Sequence, residues 1–253
     1  MLISGKKGML TDRDRAILLD LYLTRILSTE QIALLYFNTE ATAKRRLYDL
    51  ANLKGVVEPM TVETGLTVWT LTKPAFRRAA EFVYPDDPYR GFPEERFIPH
   101  MLDSNDLYVA LRKDLDRLFG GHPAWEWTDE TRLIWLRSSR SNAKRKREKK
   151  NQPDAELTFA GNRYFIERQT VRSHASAKEL DEKVDRYRRY FSRMEEPDGE
   201  IEVIFACEKQ HVRDNVLASA EKYDIDLSAG TVREVADYLI EQAEAAAPVE
   251  VSA

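Results

Sequence analysis

Residues 200–208 read EIEVIFACE, and from Val203 to Cys207 no polar side chain interrupts the run. A strand without alternation has no face to give to water, so this one is expected to be buried on both faces. Upstream, residues 152–170 read QPDAELTFAGNRYFIERQT, two strand-like runs around an Ala-Gly-Asn turn, with Asp154 entering the first and Glu167 and Gln169 ending the second. AWEWTDE, residues 124–130, is a third strand candidate. HMLDSNDLYVALRKDLDRLFG is helical by the spacing of Leu107, Leu111, Leu115 and Leu118, and Gly120-Gly121 closes it. SAKELDEKVDRYRRYFSRM is a long helix with Leu180, Val184, Tyr187 and Phe191 on one stripe, and QHVRDNVLASAEKY is another helix. The order over the second half is α, β, β, β, α, β, α.

The first half has a different rhythm. TDRDRAILLDLYL predicts a helix from Thr11 to about Leu23, with Ile17, Leu18 and Leu21 at helical spacing. In STEQIALLYF, Ser28 followed by Gln31 has the form of a capping box. NTEATAKRRLYDLANLKG predicts a third helix that ends at Gly55, with Ala43, Leu47 and Leu50 on one face and Lys44, Arg45 and Tyr48 largely on others. VVEPMTVETGLTVWTLT alternates around Glu63-Thr64-Gly65 and reads as a hairpin. Three helices followed by a hairpin spell a winged helix. The segment from Pro74 to Pro99, which includes YPDDPYRGFP, is expected to be a helix and then a linker.

Composition narrows the class. With 253 residues the chain has length for two domains, and no apolar run approaches the ~18 residues of a membrane span. The first residues, MLISGKKGMLTDRDR, lack the apolar core of a signal peptide, so a cytoplasmic protein is expected. The single cysteine, Cys207, excludes an internal disulfide, and four histidines form no zinc-ligand pattern. The net charge of -4 hides a concentration of positive charge, because residues 138–152, SSRSNAKRKREKKNQ, hold seven basic residues and one acidic one. The last twenty residues hold five acids and no base, as expected of a helix followed by a frayed tail.

Two sets of residues point to chemistry. On the third helix Thr42, Lys44, Arg45 and Arg46 are candidates for contact with double-stranded DNA, since Arg and Lys read guanine edges or hold phosphates and the third helix of a winged helix enters the major groove. The same residues also read as the solvated face of a protein-interaction module, and the hairpin loop offers Glu63 and no base. In the second half, Asp154 and Glu167 on paired strands would place two carboxylates near one point, enough to hold one Mg²⁺ that activates water against a phosphodiester. Lys183 borders the buried stripe of the long helix, where it would be held against the sheet, and Asp106 could supply a third carboxylate. The bland alternative makes Asp154 a turn-flanking acid, pairs Glu167 with an arginine and pairs Lys183 with Glu179. Lys144, Arg145, Lys146 and Arg147, just before Pro153-Asp154, would hold phosphate without sequence preference, or form a solvated loop.

PDAELTFAGNRYFIERQ resembles the Pro-Asp, then Glu-x-Lys pattern of the restriction-endonuclease-like fold, with Gln169 where the lysine belongs. A neutral Gln stabilises developing negative charge less well. Residues 9 to 225 as a whole resemble the replication-relaxation family of bacterial plasmids, phages and integrating elements. The likeness rests on LTDRDRAILLDL, STEQIALLYF, TAKRRLYDLANLKGVV, HMLDSNDLYVAL, PDAEL, and IERQT followed by KVDRYRRY, with the spacing of His100 and Asn105-Asp106 the most distinctive piece. Where family members commonly carry Glu-x-Asp and then Arg-Gly-Thr, this chain has Glu167-Arg168-Gln169-Thr170, and the second carboxylate is lost. The resemblance implies a role in plasmid replication or DNA relaxation.

The fold expected is a two-domain α+β and α/β chain: a winged helix-turn-helix at 8–73, a helix and linker at 74–99, a restriction-endonuclease-like αβββαβ domain at 100–228, and a helix with an acidic tail at 229–253. Two functions remain open. One is a DNA-binding protein with a Mg²⁺-dependent nuclease site in which Asp154 and Glu167 hold the metal, Lys183 faces the scissile phosphate and Gln169 orients water or phosphate. The other is a non-catalytic transcription regulator whose second domain docks a partner or forms a homodimer.

Overall fold

The computed structural model describes residues 10–88, 91–130, 132–134, 153–170, 176–192 and 200–247. The chain divides between Val109 and Ala110 into two compact units.

In the first unit α1 (Asp12–Thr24) opens on a capping box, Thr11 Oγ1 accepting from the Asp14 N–H at 3.2 Å and Asp14 Oδ2 accepting from the Thr11 N–H at 2.8 Å. β1 (Leu27–Ser28) leads into α2 (Thr29–Tyr36), which Ser28 and Gln31 cap in the same reciprocal way. α3 (Glu40–Asp49) runs on into a single π turn, Leu50–Lys54, that stops at Gly55 with φ of 61°, a left-handed conformation natural to glycine. Ala43, Leu47 and Leu50 are fully buried while Thr42, Lys44 and Arg45 are exposed, as the pattern of the sequence requires. β2 (Val57–Thr61) and β3 (Thr67–Leu71) form the expected antiparallel hairpin, with Val57 opposite Leu71. β1 adds to the free edge of β3, Leu27 opposite Trp69, in the order β1-β3-β2. A strand that short carries no period to read. Trp69 is fully buried and its Nε1 donates to Thr29 Oγ1 at 3.0 Å, which ties the sheet to α2.

α4 (Lys73–Val83) has Pro74 in its first turn, where a missing N–H costs nothing. The division between the units falls later than the expected linker at 74–99, inside the continuous helix α5 (Ile98–Phe119). The physical reason lies in the residues of α5 up to Val109. Ile98 and Leu102 pack with Ile26, Val62 and Val68, Asn105 Nδ2 donates to the Ile26 carbonyl at 2.7 Å, and Tyr108 donates to Asp20 Oδ1 at 2.8 Å. Proline and glycine mark a loop, whereas a unit's edge is set by long-range contacts of this kind.

In the second unit the strands β4 (Trp125–Asp129), β5 (Ala155–Phe159), β6 (Asn162–Gln169), β7 (Ile201–Cys207) and β8 (Ser228–Gly230) form one sheet in that order. β4, β5 and β6 are antiparallel, and β6, β7 and β8 run parallel. The β5–β6 turn uses left-handed φ values at both Ala160 (50°) and Gly161 (85°), which suits the twist of a tight hairpin. α6 (Ala177–Phe191) joins β6 to β7, α7 (Gln210–Tyr223) joins β7 to β8, and α8 (Val232–Ala246) follows. Leu180, Val184 and Tyr187 of α6 and Val216 and Ala220 of α7 pack with Phe165, Val203, Phe205 and Cys207. From the alternate positions of β7, Glu202 accepts from Tyr238 of α8 at 2.8 Å and from Ser228 at 2.6 Å. Val203 to Cys207 are all buried, as the apolar run demanded. The expected order α, β, β, β, α, β, α is present, with helical residues at 130 and 132–134 between its first two strands, and is extended by β8 and by α8, whose Val235, Ala236, Leu239 and Ala243 are buried. The acidic end beyond Ala247 and the basic residues Lys144, Arg145, Lys146 and Arg147 lie outside the described residues. Among the described residues no helix is long and apolar enough to cross a membrane.

Asn105 is the polar anchor of α5 in the first unit. Replacing it with Ala strands the buried Ile26 carbonyl, and urea unfolding should show the first unit weakened by about 2 kcal/mol. An unchanged midpoint would remove Asn105 from that role.

Candidate functional site

The antiparallel register of β5 and β6, with Ala155 opposite Ile166, brings Asp154 to the level of Glu167, where the β5–β6 pairing ends and β6 stays paired with β7. Asp154 is fixed from two sides: its Oδ2 accepts the Arg168 N–H at 2.7 Å and its carbonyl accepts the Glu130 N–H at 3.0 Å. Along β6, Phe165, Glu167 and Gln169 share one face by the two-residue period of a strand. Phe165 belongs to the core under α6, so Glu167 is directed towards that helix.

Ser176 caps α6, and its N–H and hydroxyl both donate to Glu179 Oε2. Glu179 is therefore committed to the cap, and Lys183 turns inward instead. Lys183 Nζ forms an ion pair with Glu167 Oε2, and Tyr187, one turn further along, donates to Glu167 Oε1 at 2.6 Å. The sequence set Tyr187 in the apolar stripe and gave no sign of its hydroxyl's partner, although the i, i+4 spacing of Lys183 and Tyr187 puts both on one side of the helix. Glu167 is 1 % exposed, against 21 % for the Lys183 side chain. Burial pushes the Glu167 carboxyl up, Lys183 draws it down, and the charge of Asp154 raises it again, leaving it at about 7. For Lys183 burial opposes the charge, but Glu167 and Asp154 together hold the ammonium above its ordinary value. One ammonium thus serves two carboxylates.

The other candidates are placed as follows. Gln169 is buried, lies beside Cys207 in the parallel ladder, and its carbonyl accepts the Glu208 N–H at 2.9 Å. Asp106 belongs to the first unit, where its Oδ1 accepts from Gln31 Nε2 at 2.8 Å. Among the described residues no group of three or more His, Cys, Asp or Glu is placed to hold a metal ion, so a metal here would rest on Asp154 and Glu167 with water completing its shell. Two carboxylates that already attract one buried cation fit that task.

In the first unit Arg46 parts company with Thr42, Lys44 and Arg45. It turns back to α1 and donates to Asp14 through Nε at 2.8 Å and Nη2 at 2.5 Å. Asp14 is fully buried; its burial works to raise the carboxyl, and Arg46 together with the Thr11 cap more than offsets this and holds it low. Arg46 is a structural partner of Asp14. On the hairpin, the Glu63 N–H donates to Glu95 at 2.7 Å.

Lys183→Met leaves Glu167 buried with Tyr187 as its hydrogen-bond donor. The folded pKa of Glu167 already stands above its unfolded value, so stability falls as pH rises between them; without the ammonium that pKa climbs further. The substitution should cost about 3 kcal/mol at about pH 8 and far less at about pH 5, where Glu167 folds protonated. Denaturant midpoints at the two values check this, and an equal cost at both would contradict the pairing.

None of the curated proteins is a significant match to this chain. A solved structure described as restriction endonuclease FokI bound to DNA aligns over 93 % of this chain with 12 % identity and a TM-score of 0.31. The alignment covers 46 % of that structure's chain, so this chain spans less than half its length. The family model described as replication-relaxation matches residues 18–204, a stretch that takes in α2, α3, the hairpin, α5 and the strands carrying Asp154 and Glu167. The chain belongs to the replication-relaxation family.

Proposed function

We propose that the protein binds duplex DNA in the replication or relaxation of a plasmid, phage or integrating element, and that its second unit is a restriction-endonuclease-like domain able to hydrolyse a phosphodiester with Mg²⁺. The observation that carries the catalytic part is the meeting of Asp154, Glu167 and Lys183 at the end of the β5–β6 hairpin. Gln169 stands where the fold's pattern has a lysine, and α6 returns a lysine to the same carboxylate.

For DNA binding, the reading rests on the family and on the exposed Thr42, Lys44 and Arg45 of α3, in a unit whose three helices and hairpin follow the order of a winged helix. Lys44 and Arg45 would hold phosphates or read base edges. Arg46 is excluded from that surface by Asp14.

For hydrolysis, Asp154 and Glu167 would hold the metal. A bound Mg²⁺ supplies charge that polarises the phosphoryl group and lowers the pKa of a water. Lys183 sets a positive charge beside the two carboxylates, where the phosphate's developing charge needs it. Tyr187 keeps the Glu167 carboxylate oriented, the Arg168 N–H does the same for Asp154, and Gln169 would orient water or phosphate. Lys144, Arg145, Lys146 and Arg147 directly precede Pro153-Asp154 in the chain and would contribute phosphate contacts without sequence preference.

Supercoiled plasmid should be nicked or linearised by the parent protein in Mn²⁺ or Mg²⁺ and left intact by an Asp154→Ala, Glu167→Ala double variant that still binds DNA. Intact plasmid with undiminished binding by the parent would assign the protein to non-catalytic regulation. Lys44→Ala with Arg45→Ala should lower the slope of log affinity against log salt by about 2. A slope that does not change would move the DNA surface away from α3.

A further inference from the structure

Lys183 has two ways of serving Glu167, and they make opposite demands on a metal. An ammonium that neutralises a carboxylate already fills the place a cation would take. Glu167 offers two oxygens, and both are engaged by α6: Oε2 by Lys183 and Oε1 by Tyr187. Asp154 Oδ2 is held by the Arg168 N–H. A cation that takes both carboxylates must therefore compete with Lys183 for Glu167.

We infer that Lys183 is a resident counter-ion of the Asp154–Glu167 pair, which a divalent metal displaces, so that the same lysine restrains metal binding before it serves the phosphate. This rests on the reading of Asp154 and Glu167 as a metal pair. The geometry favours displacement over exclusion. The Lys183 side chain keeps 21 % of its surface exposed, which gives the flexible stem a route outward, while Glu167 at 1 % cannot follow it. The phenol of Tyr187 is fully buried and stays as the oriented partner when the ammonium leaves. Phe205 lies beneath the ammonium, 6.0 Å from ring centroid to Nζ, and forms an apolar floor that supplies no competing ligand. A protein built this way binds metal weakly when alone. It binds better when a phosphate is present, because the phosphate both ligates the metal and accepts the displaced ammonium.

The test uses the full chain and Mn²⁺ as the probe, with binding read by calorimetry and by the shift of thermal unfolding. Lys183→Met should bind Mn²⁺ about tenfold or more tightly than the parent, since a unit charge is removed from the site. Arg186→Met, which removes a positive charge from the exposed side of the same helix without touching the carboxylate pair, should gain far less, and Glu167→Gln should abolish the gain. Equal Mn²⁺ affinity in the parent and Lys183→Met would overturn the inference, as would an equal gain in Arg186→Met. Should Lys183→Met fail to fold, amine acetylation of the parent read by mass spectrometry gives the same decision. Lys183 should label faster as Mn²⁺ is added, and unchanged or slower labelling would overturn displacement. The nuclease reading fails separately. Tighter metal binding by Lys183→Met beside an intact plasmid keeps the displaced lysine and removes hydrolysis, whereas nicking by the parent without that gain keeps hydrolysis and removes displacement.

Discussion

A carboxylate with almost no access to water is the interaction on which the second unit turns. Glu167 sits at the end of a strand whose neighbours are aromatic and aliphatic, and α6 answers it with an ammonium and a phenol one turn apart. A charged group in such a place is costly unless it is paired and hydrogen-bonded. The pairing fixes the register of α6 on the sheet, since a shift by one residue would carry both Lys183 and Tyr187 away from Glu167. A purely apolar contact at this point would hold the helix at least as well, which makes the expensive alternative a reason to seek function there.

The first unit uses buried carboxylates differently. Asp14 is closed by Arg46 and by its own helix cap, and Asp20 receives the phenols of Tyr36 and Tyr108. These acids join α1 to α3, α2 and α5, and each is matched within the unit by donors from another helix. At Glu167 a second carboxylate, Asp154, acts on the same ammonium. That difference separates a structural acid from a candidate site.

Much of this was legible in the residues. The apolar run of β7 demanded cover on both faces, the Ser28 and Gln31 pair announced the start of α2, and the buried side of α3 followed from Ala43, Leu47 and Leu50. Lys183 was readable as a lysine at the margin of an apolar stripe. Other features were not. β1 is two residues long and has no period, the edge of the first unit is drawn by side chains of Ile98, Leu102, Asn105 and Tyr108 that find partners far away in sequence, and Arg46 looked like its exposed neighbours until Asp14 of another helix claimed it. Helical spacing says which side a residue is on; it does not say which distant group will meet it. The role of Tyr187 escaped for the same reason, since a tyrosine in an apolar stripe reads as core whether or not its hydroxyl has a partner.

A nuclease site at the hairpin end requires that Asp154 and Glu167 share a cation other than Lys183. Crystals grown with Mn²⁺ and a short duplex, measured for anomalous scattering, address this most directly. The expected result is a single strong peak bonded to both carboxylates, with the Lys183 ammonium withdrawn from Glu167 towards a phosphate. Glu167 still paired with Lys183, and no anomalous peak between it and Asp154, would contradict the account and leave the hairpin end a structural ion pair.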